Sequence, residues 1–95
     1  MIKYSEKALK NAFKRSVELI HREVRERCPV RTGRLKNSLQ YTVENNRGEI
    51  KTDVEYAAMV EFGAAGKRPK AFMKNGLTAA RIQLAEIYRE EILNG

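Results

Sequence analysis

Residues 28–77 read CPVRTGRLKNSLQYTVENNRGEIKTDVEYAAMVEFGAAGKRPKAFMKNGL. Their middle alternates with period two. Leu39, Tyr41 and Val43 fall on one face of a strand, with Gln40, Thr42 and Glu44 on the other. Asn45-Asn46-Arg47-Gly48 carries residues that tolerate positive φ and predicts a hairpin loop. On the return strand Ile50, Thr52 and Val54 alternate with Lys51, Asp53 and Glu55. Two strands alone are marginal in water, so the hairpin needs a helix to pack on.

Both flanks provide one. From Ser5 to Arg27, residues Leu9, Ala12, Phe13, Val17, Ile20 and Val24 recur at three- and four-residue spacing and form an apolar stripe. Lys10, Lys14, Glu18, Arg22 and Glu26 fall on the other faces. Ser5 is the predicted N-cap, Glu6 suits the first turn, and Arg25 and Arg27 suit the last. Pro29 stops the helix by pushing its predecessor out of the α region. Phe72 to Leu93 predicts a second amphipathic helix, with Leu77, Ala80, Leu84, Ile87 and Tyr88 inward and Arg81, Glu86, Arg89 and Glu90 outward. Asn94-Gly95 ends it. Thr32 is the expected cap of a single helical turn running to Ser38. Tyr56 to Phe62 fits a short helix or a continuing strand, and Gly63 ends either; residues 63–69 read as a flexible loop. The fold class is therefore α+β: a long N-terminal helix, a β-hairpin or small antiparallel sheet, a short element and loop, and a C-terminal helix packed on the sheet. Residues 1–95 form one domain, with no internal repeat.

Composition narrows the chemistry. A fraction of 42% hydrophobic residues supports one modest core, and mean hydropathy is −0.59. No apolar run approaches the roughly 18 residues of a membrane span. The opening residues MIKYSEKALK lack the apolar stretch of a signal peptide. Cys28, the one cysteine, forms no internal disulfide, which fits the reducing cytoplasm. One His and one Cys exclude most zinc frameworks. Nineteen Lys and Arg against twelve Asp and Glu leave +7, which favours anionic partners. That charge clusters. Arg31, Arg34 and Lys36 form one acid-free strip, and Lys67, Arg68, Lys70 and Lys74 another.

No site chemistry competes with a structural reading. Gly63-Ala64-Ala65-Gly66-Lys67-Arg68 fails the phosphate-loop pattern, because only two residues separate the glycines and Arg68 stands where Ser or Thr would bind magnesium. His21 lies in the first helix with no nucleophile placed by a recognisable motif. Cys28 reads as a small buried hydrophobe, although Arg25 and Arg27 are near enough to lower its pKa. Asp53 and Glu55 share the exposed strand face, and Glu61 is expected to pair with Arg31, Arg34 or a neighbouring subunit. Tyr41, Tyr56 and Tyr88 sit where core aromatics sit, and neither an RNP pattern nor a helix-turn-helix spacing appears. Catalytic, cofactor and metal residues are therefore expected to be none.

Three motifs in order carry a family resemblance. Pro29, Thr32, Gly33 and Leu35, with Ser38, stand as proline-x-x-threonine-glycine-x-leucine after a helix. Tyr56 and Ala57 precede Val60, Glu61, Phe62 and Gly63; Pro69 and Phe72 then open the last helix. This succession resembles the HK97 gp10-like family of tailed-phage neck and tail components. A departure is Ala64 where such proteins often carry threonine. The resemblance implies a virion protein, made in the host bacterial cytoplasm from a phage or prophage late operon. It further implies no enzyme, a homo-oligomeric ring, connector and tail proteins as partners, and no membrane. A ring of basic loops would meet channel DNA without reading sequence. Arg31, Arg34, Lys36, Lys67, Arg68 and Lys70 are the expected contact residues. The alternatives are a small basic nucleic-acid-binding module and a ribonuclease-toxin-like protein; against the latter, the chain closes on a helix rich in Glu86, Glu90 and Glu91.

Overall fold

The structure is a computed structural model that describes residues 5–30, 33–44, 47–63 and 66–94. The order is α1 (Glu6–Arg27), α2 (Arg34–Ser38), β1 (Gln40–Glu44), β2 (Arg47–Lys51), α3 (Ala57–Phe62) and α4 (Phe72–Asn94). This is the predicted α+β architecture. Tyr56 to Phe62, open between helix and strand on sequence, is helical.

Local signals set the ends of α1. The Ser5 hydroxyl oxygen accepts from the Ala8 N–H at 3.0 Å, a cap that contributes about 1 kcal/mol. At the other end the Cys28 N–H donates to Arg25 O, and Pro29 follows in extended chain. β1 and β2 pair antiparallel from Gln40↔Lys51 to Glu44↔Arg47. The expected loop over 45–48 is thus too long, because Arg47 and Gly48 already belong to β2; Asn45 and Asn46 lie outside the described residues. α2 begins differently from the expectation too. Its N-cap is Gly33, at φ 81°, and it makes no side-chain cap bond. Thr32, the expected cap, lies outside the described residues.

α1 is the central element, and its two sides do different work. One side runs antiparallel to α4, with Ala12 and Ala80 fully buried beside Leu19 and Ile87. The two helices come closest at Gly76. A Cβ there would stand 2.6 Å from Val24 Cγ2 and from Val24 N. Only glycine permits this crossing, although glycine inside a helix costs about 1 kcal/mol relative to alanine. The other side of α1 carries the hairpin, where Gly48 lies against Val17 and Phe13.

A second core joins all the elements at the C-terminal end of α1. Val24, Cys28, Leu35, Leu39, Val54 and Phe72 are buried together, with Ile50, Tyr56, Val60 and Met73 packed against them. Through Phe72 and Met73 the C-terminal helix thus reaches the base of the sheet. The molecule is elongated, 54 × 22 × 18 Å.

Two inward assignments and one omission are corrected. Leu77 is 50% exposed, because the crossing at Gly76 turns it away from α1. Tyr41 lies on the α1 side of the hairpin as expected, but at its rim, 37% exposed. Its ring lies 5.0 Å from that of His21, and its hydroxyl donates to Glu18 Oε2 at 3.0 Å, a bond that raises the phenol pKa. Leu19, outside the predicted stripe, is buried, because α1 packs on two sides where a single stripe serves one.

Candidate functional site

The distribution of charge pairs marks the region of interest. Along α1 and α4 several cations meet carboxylates of their own chain, although Lys7, Lys14 and Arg81 are in no described ion pair. Arg15 reaches Glu90 at 2.8 Å and Glu91 at 3.1 Å, Arg27 reaches Glu23 at 2.5 Å, and Arg89 reaches Glu86 at 3.5 Å. Glu23 is buried in the α1–α4 seam, where Gln83 Nε2 donates to its second oxygen at 3.3 Å. The Arg27 hydrogen bond, with help from Gln83, holds this carboxyl below its ordinary range against the opposing effect of burial.

From residue 66 to Lys74 the pattern stops. Lys67, Arg68, Lys70 and Lys74 are all exposed, and no described carboxylate forms an ion pair with any of them. The backbone that presents them is nevertheless tied down. The Lys70 N–H donates to Val60 O at 2.8 Å, and Gly63, at φ 81°, lets the loop fold back. A Cβ on Gly63 would lie 2.8 Å from Lys67 O and 2.9 Å from Pro69 N.

Glu61 fixes α3 to the start of α4. Its Oε1 accepts from Met73 N–H at 2.8 Å and its Oε2 from Lys74 N–H at 3.1 Å. Ala71, just before the helix, has no side-chain acceptor, so two N–H groups of the first turn would lack one without this carboxylate. The favourable charge at the positive end of the helix dipole adds to it. Glu61 therefore binds backbone in place of the expected pairing with Arg34; Arg31, the other expected partner, lies outside the described residues. Sequence did not reveal this cap, because donor and acceptor belong to different elements.

The strip before the hairpin is more occupied than its composition suggests. Arg34 forms a two-point pair with Glu55, at 3.1 and 3.0 Å, and its guanidinium lies 5.5 Å over the Tyr56 ring. These contacts hold the Glu55 carboxyl below its usual range, chiefly through a hydrogen bond to its own backbone and then through Arg34. Lys36 is half-buried. Asp53 and Glu55 are both exposed as expected, but they lie after β2, which ends at Lys51, and not on a strand face. Ser38 donates its one hydroxyl proton to Leu35 O at 2.6 Å, so the 2.5 Å contact with Thr52 must use the Thr52 proton. Thr52 Oγ1 in turn accepts from Val54 N–H, so this relay holds the chain that leaves β2 against α2.

The two lone residues of chemical interest are structural. Cys28 is buried, and desolvation pushes its thiol pKa up in spite of Lys36. His21 Nε2 lies 2.9 Å from Leu39 O, so that nitrogen carries a proton and donates. No described group of His, Cys, Asp and Glu has the arrangement to hold a metal ion, and no described helix is long and apolar enough to cross a membrane.

Two features escaped the sequence reading. An open groove of about 570 Å³ lies between Arg27, Pro29, Lys70, Phe72 and Asn75, which brings the end of α1 to the basic loop. On α3, Met59 is 56% and Phe62 76% exposed. Their i, i+3 spacing was the available signal, since it puts both on one side of a short helix.

The fold defines a small helix–hairpin–helix module with an exposed basic segment whose described cations meet no described carboxylate. The chain belongs to the HK97-gp10-like family, described as "Bacteriophage HK97-gp10, putative tail-component", whose sequence model matches residues 2–63. The match spans α1 to the end of α3, so Pro69 and Phe72 of the third motif lie beyond it. Neither a curated protein nor a solved structure matches the chain.

Proposed function

We propose that this chain is a structural subunit of the neck or head-proximal tail of a tailed phage or prophage, located in the virion. It acts in head–tail joining or tail completion, as a ring of identical copies. The observation that carries this reading is the family match over residues 2–63. It favours a virion component over a ribonuclease toxin or a free-standing nucleic-acid-binding module, and the reading of the chain as a non-enzyme rests on the same match.

The geometry supports a docking role. A closed ring needs a heterologous contact, in which one patch meets a different patch on the next copy. Lys67, Arg68 and Lys70 are the foremost contact residues, because no described carboxylate of the chain neutralises them. Arg31, Arg34 and Lys36 are secondary, since Arg34 is already engaged by Glu55. Such cations orient assembly on an acidic connector or tail surface, and those facing the lumen meet DNA backbone without reading bases.

The test is electron microscopy of particles from the parent phage with this gene deleted, beside a complemented control. Filled heads lying apart from normal tails are the expected result and assign the joining step. Tails of abnormal length assign tail completion. Normal, joined, infectious particles overturn the reading.

A further inference from the structure

We propose that the outer side of α3, with Met59 and Phe62 at its centre and Lys67, Arg68, Lys70 and Lys74 around it, is the anchor by which this chain docks into an acidic-rimmed apolar pocket on a different virion protein. The inference rests on the virion reading above and adds the residues and the chemistry of the partner.

The first observation is an exposed aromatic on a rigid support. Phe62 is 76% and Met59 56% exposed, although the helix that carries them is fixed on three sides. The Gly63 N–H donates to Met59 O at 2.8 Å, the Lys70 N–H to Val60 O at 2.8 Å, and both oxygens of Glu61 hold the first turn of α4. Tyr56, Ala57 and Val60 pack into the core on the opposite side of α3. Such a side chain loses little backbone freedom on docking, and Phe and Met are enriched at interfaces.

The second observation is the charge around it. The fold-back at Gly63 brings Lys67 and Pro69 beside the end of α3, and Lys74 N–H lies on Glu61. Four exposed cations thus lie on the segment that folds back beside α3, with no acidic residue between Gly63 and Lys74. An apolar centre inside a polar rim is the usual anatomy of a binding hot spot, and here the rim demands carboxylates.

A second copy of the chain fits that demand poorly. Two such surfaces meeting face to face would oppose two sets of four cations. Its other faces offer Glu26, Glu44 and Asp53, exposed and in no described ion pair, but these stand singly on α1, on β1 and after β2 and form no rim around an apolar pocket. Glu6, Glu23, Glu49, Glu55, Glu86, Glu90 and Glu91 are in ion pairs, Glu18 takes the Tyr41 hydroxyl, and Glu61 caps α4. Duplex DNA would satisfy the cations and leave Phe62 and Met59 in water.

The test places a photo-crosslinking p-benzoylphenylalanine at Phe62, and separately at Met59, in the chain that complements the deleted parent phage. Both positions are exposed, so the substitutions leave the core intact, and immunoblotting of purified particles checks incorporation. The expected adduct is with a different virion protein, at a segment containing Asp or Glu. Read in lysates of infected cells, where loss of assembled particles does not remove the partner, its yield should fall at least about tenfold when Lys67, Arg68 and Lys70 are all changed to Glu, because the reversed charges then face like charges. An adduct with a second copy, a nuclease-sensitive adduct with DNA, or no adduct from either position in particles that contain the chain overturns the proposal. If unmodified chain is absent from wild-type particles, the virion reading itself fails, which the immunoblot distinguishes.

Discussion

The α1–α4 seam and the α3–loop surface are built on opposite rules. In the seam every feature is answered from within the chain: Gly76 admits Val24, Ala12 meets the buried face of α4, and Glu23 is held by Arg27 and Gln83. At the α3–loop surface the backbone is equally well bonded, yet Phe62, Met59 and four cations point to nothing in the molecule. Order without internal partners separates a surface kept for another macromolecule from a loop that merely connects. The seam should therefore govern stability, and the α3–loop surface should govern assembly.

The largest stability effect is expected at Gly76. Gly76→Ala should destabilise by about 1–3 kcal/mol, the usual cost of overpacking, and lower the thermal midpoint accordingly. In an ordinary helix the same change would stabilise, so an unchanged or raised midpoint would break the comparison at its strongest point. Next comes the link between the two regions. Glu61→Ala should cost about 1 kcal/mol by leaving the Met73 and Lys74 N–H groups without their acceptor. Glu61→Gln, which keeps one acceptor oxygen, should lose less. Equal melting of Glu61→Ala and wild type would show that α3 is not anchored as described.

A smaller effect concerns acid. The folded Glu23 pKa lies below its ordinary value, so its stabilising contribution is complete above the usual carboxylate pKa near 4.3 and is lost as pH falls through the folded value. Urea titrations across that range should show stability declining with acid, and Glu23→Gln should flatten the decline. An equal slope in both proteins would assign it to other carboxylates. Smallest of all should be the change in stability when Lys67, Arg68 and Lys70 all become Glu: within about 0.5 kcal/mol, as for surface sites without partners. The same variant should lose particle assembly. A variant that melts like wild type and still assembles would remove the distinction between the two regions.

Much of the frame was legible in the order of residues. Ser5 and Pro29 bracket α1 because a cap and a proline act on their immediate neighbours. The period of two placed β1, and the 3.6 period both long helices, within a residue or two; the return strand was read through Val54, whereas β2 ends at Lys51. The errors arose wherever a choice depended on contact between elements. Leu19 is buried because α1 serves two sides. Leu77 is exposed because Gly76 sets the rotation of α4, and Tyr41 stays at the rim of the hairpin–α1 contact because His21 and Glu18 receive it there. For the candidate site, the sequence already displayed the acid-free run of cations. It did not show that Arg34 is taken by Glu55, that Glu61 caps a distant helix, or that Phe62 stands in solvent.

Sequence by itself determined the two long helices and the hairpin, the family motifs and the sign of the charge, because propensity, periodicity and composition act over a few residues. Only the tertiary structure decided which cations are neutralised within the chain, which glycine admits a neighbouring helix and which aromatic is left uncovered. Those outcomes depend on distances between segments dozens of residues apart, such as Arg15 and Glu90 at 2.8 Å, and no local pattern encodes them.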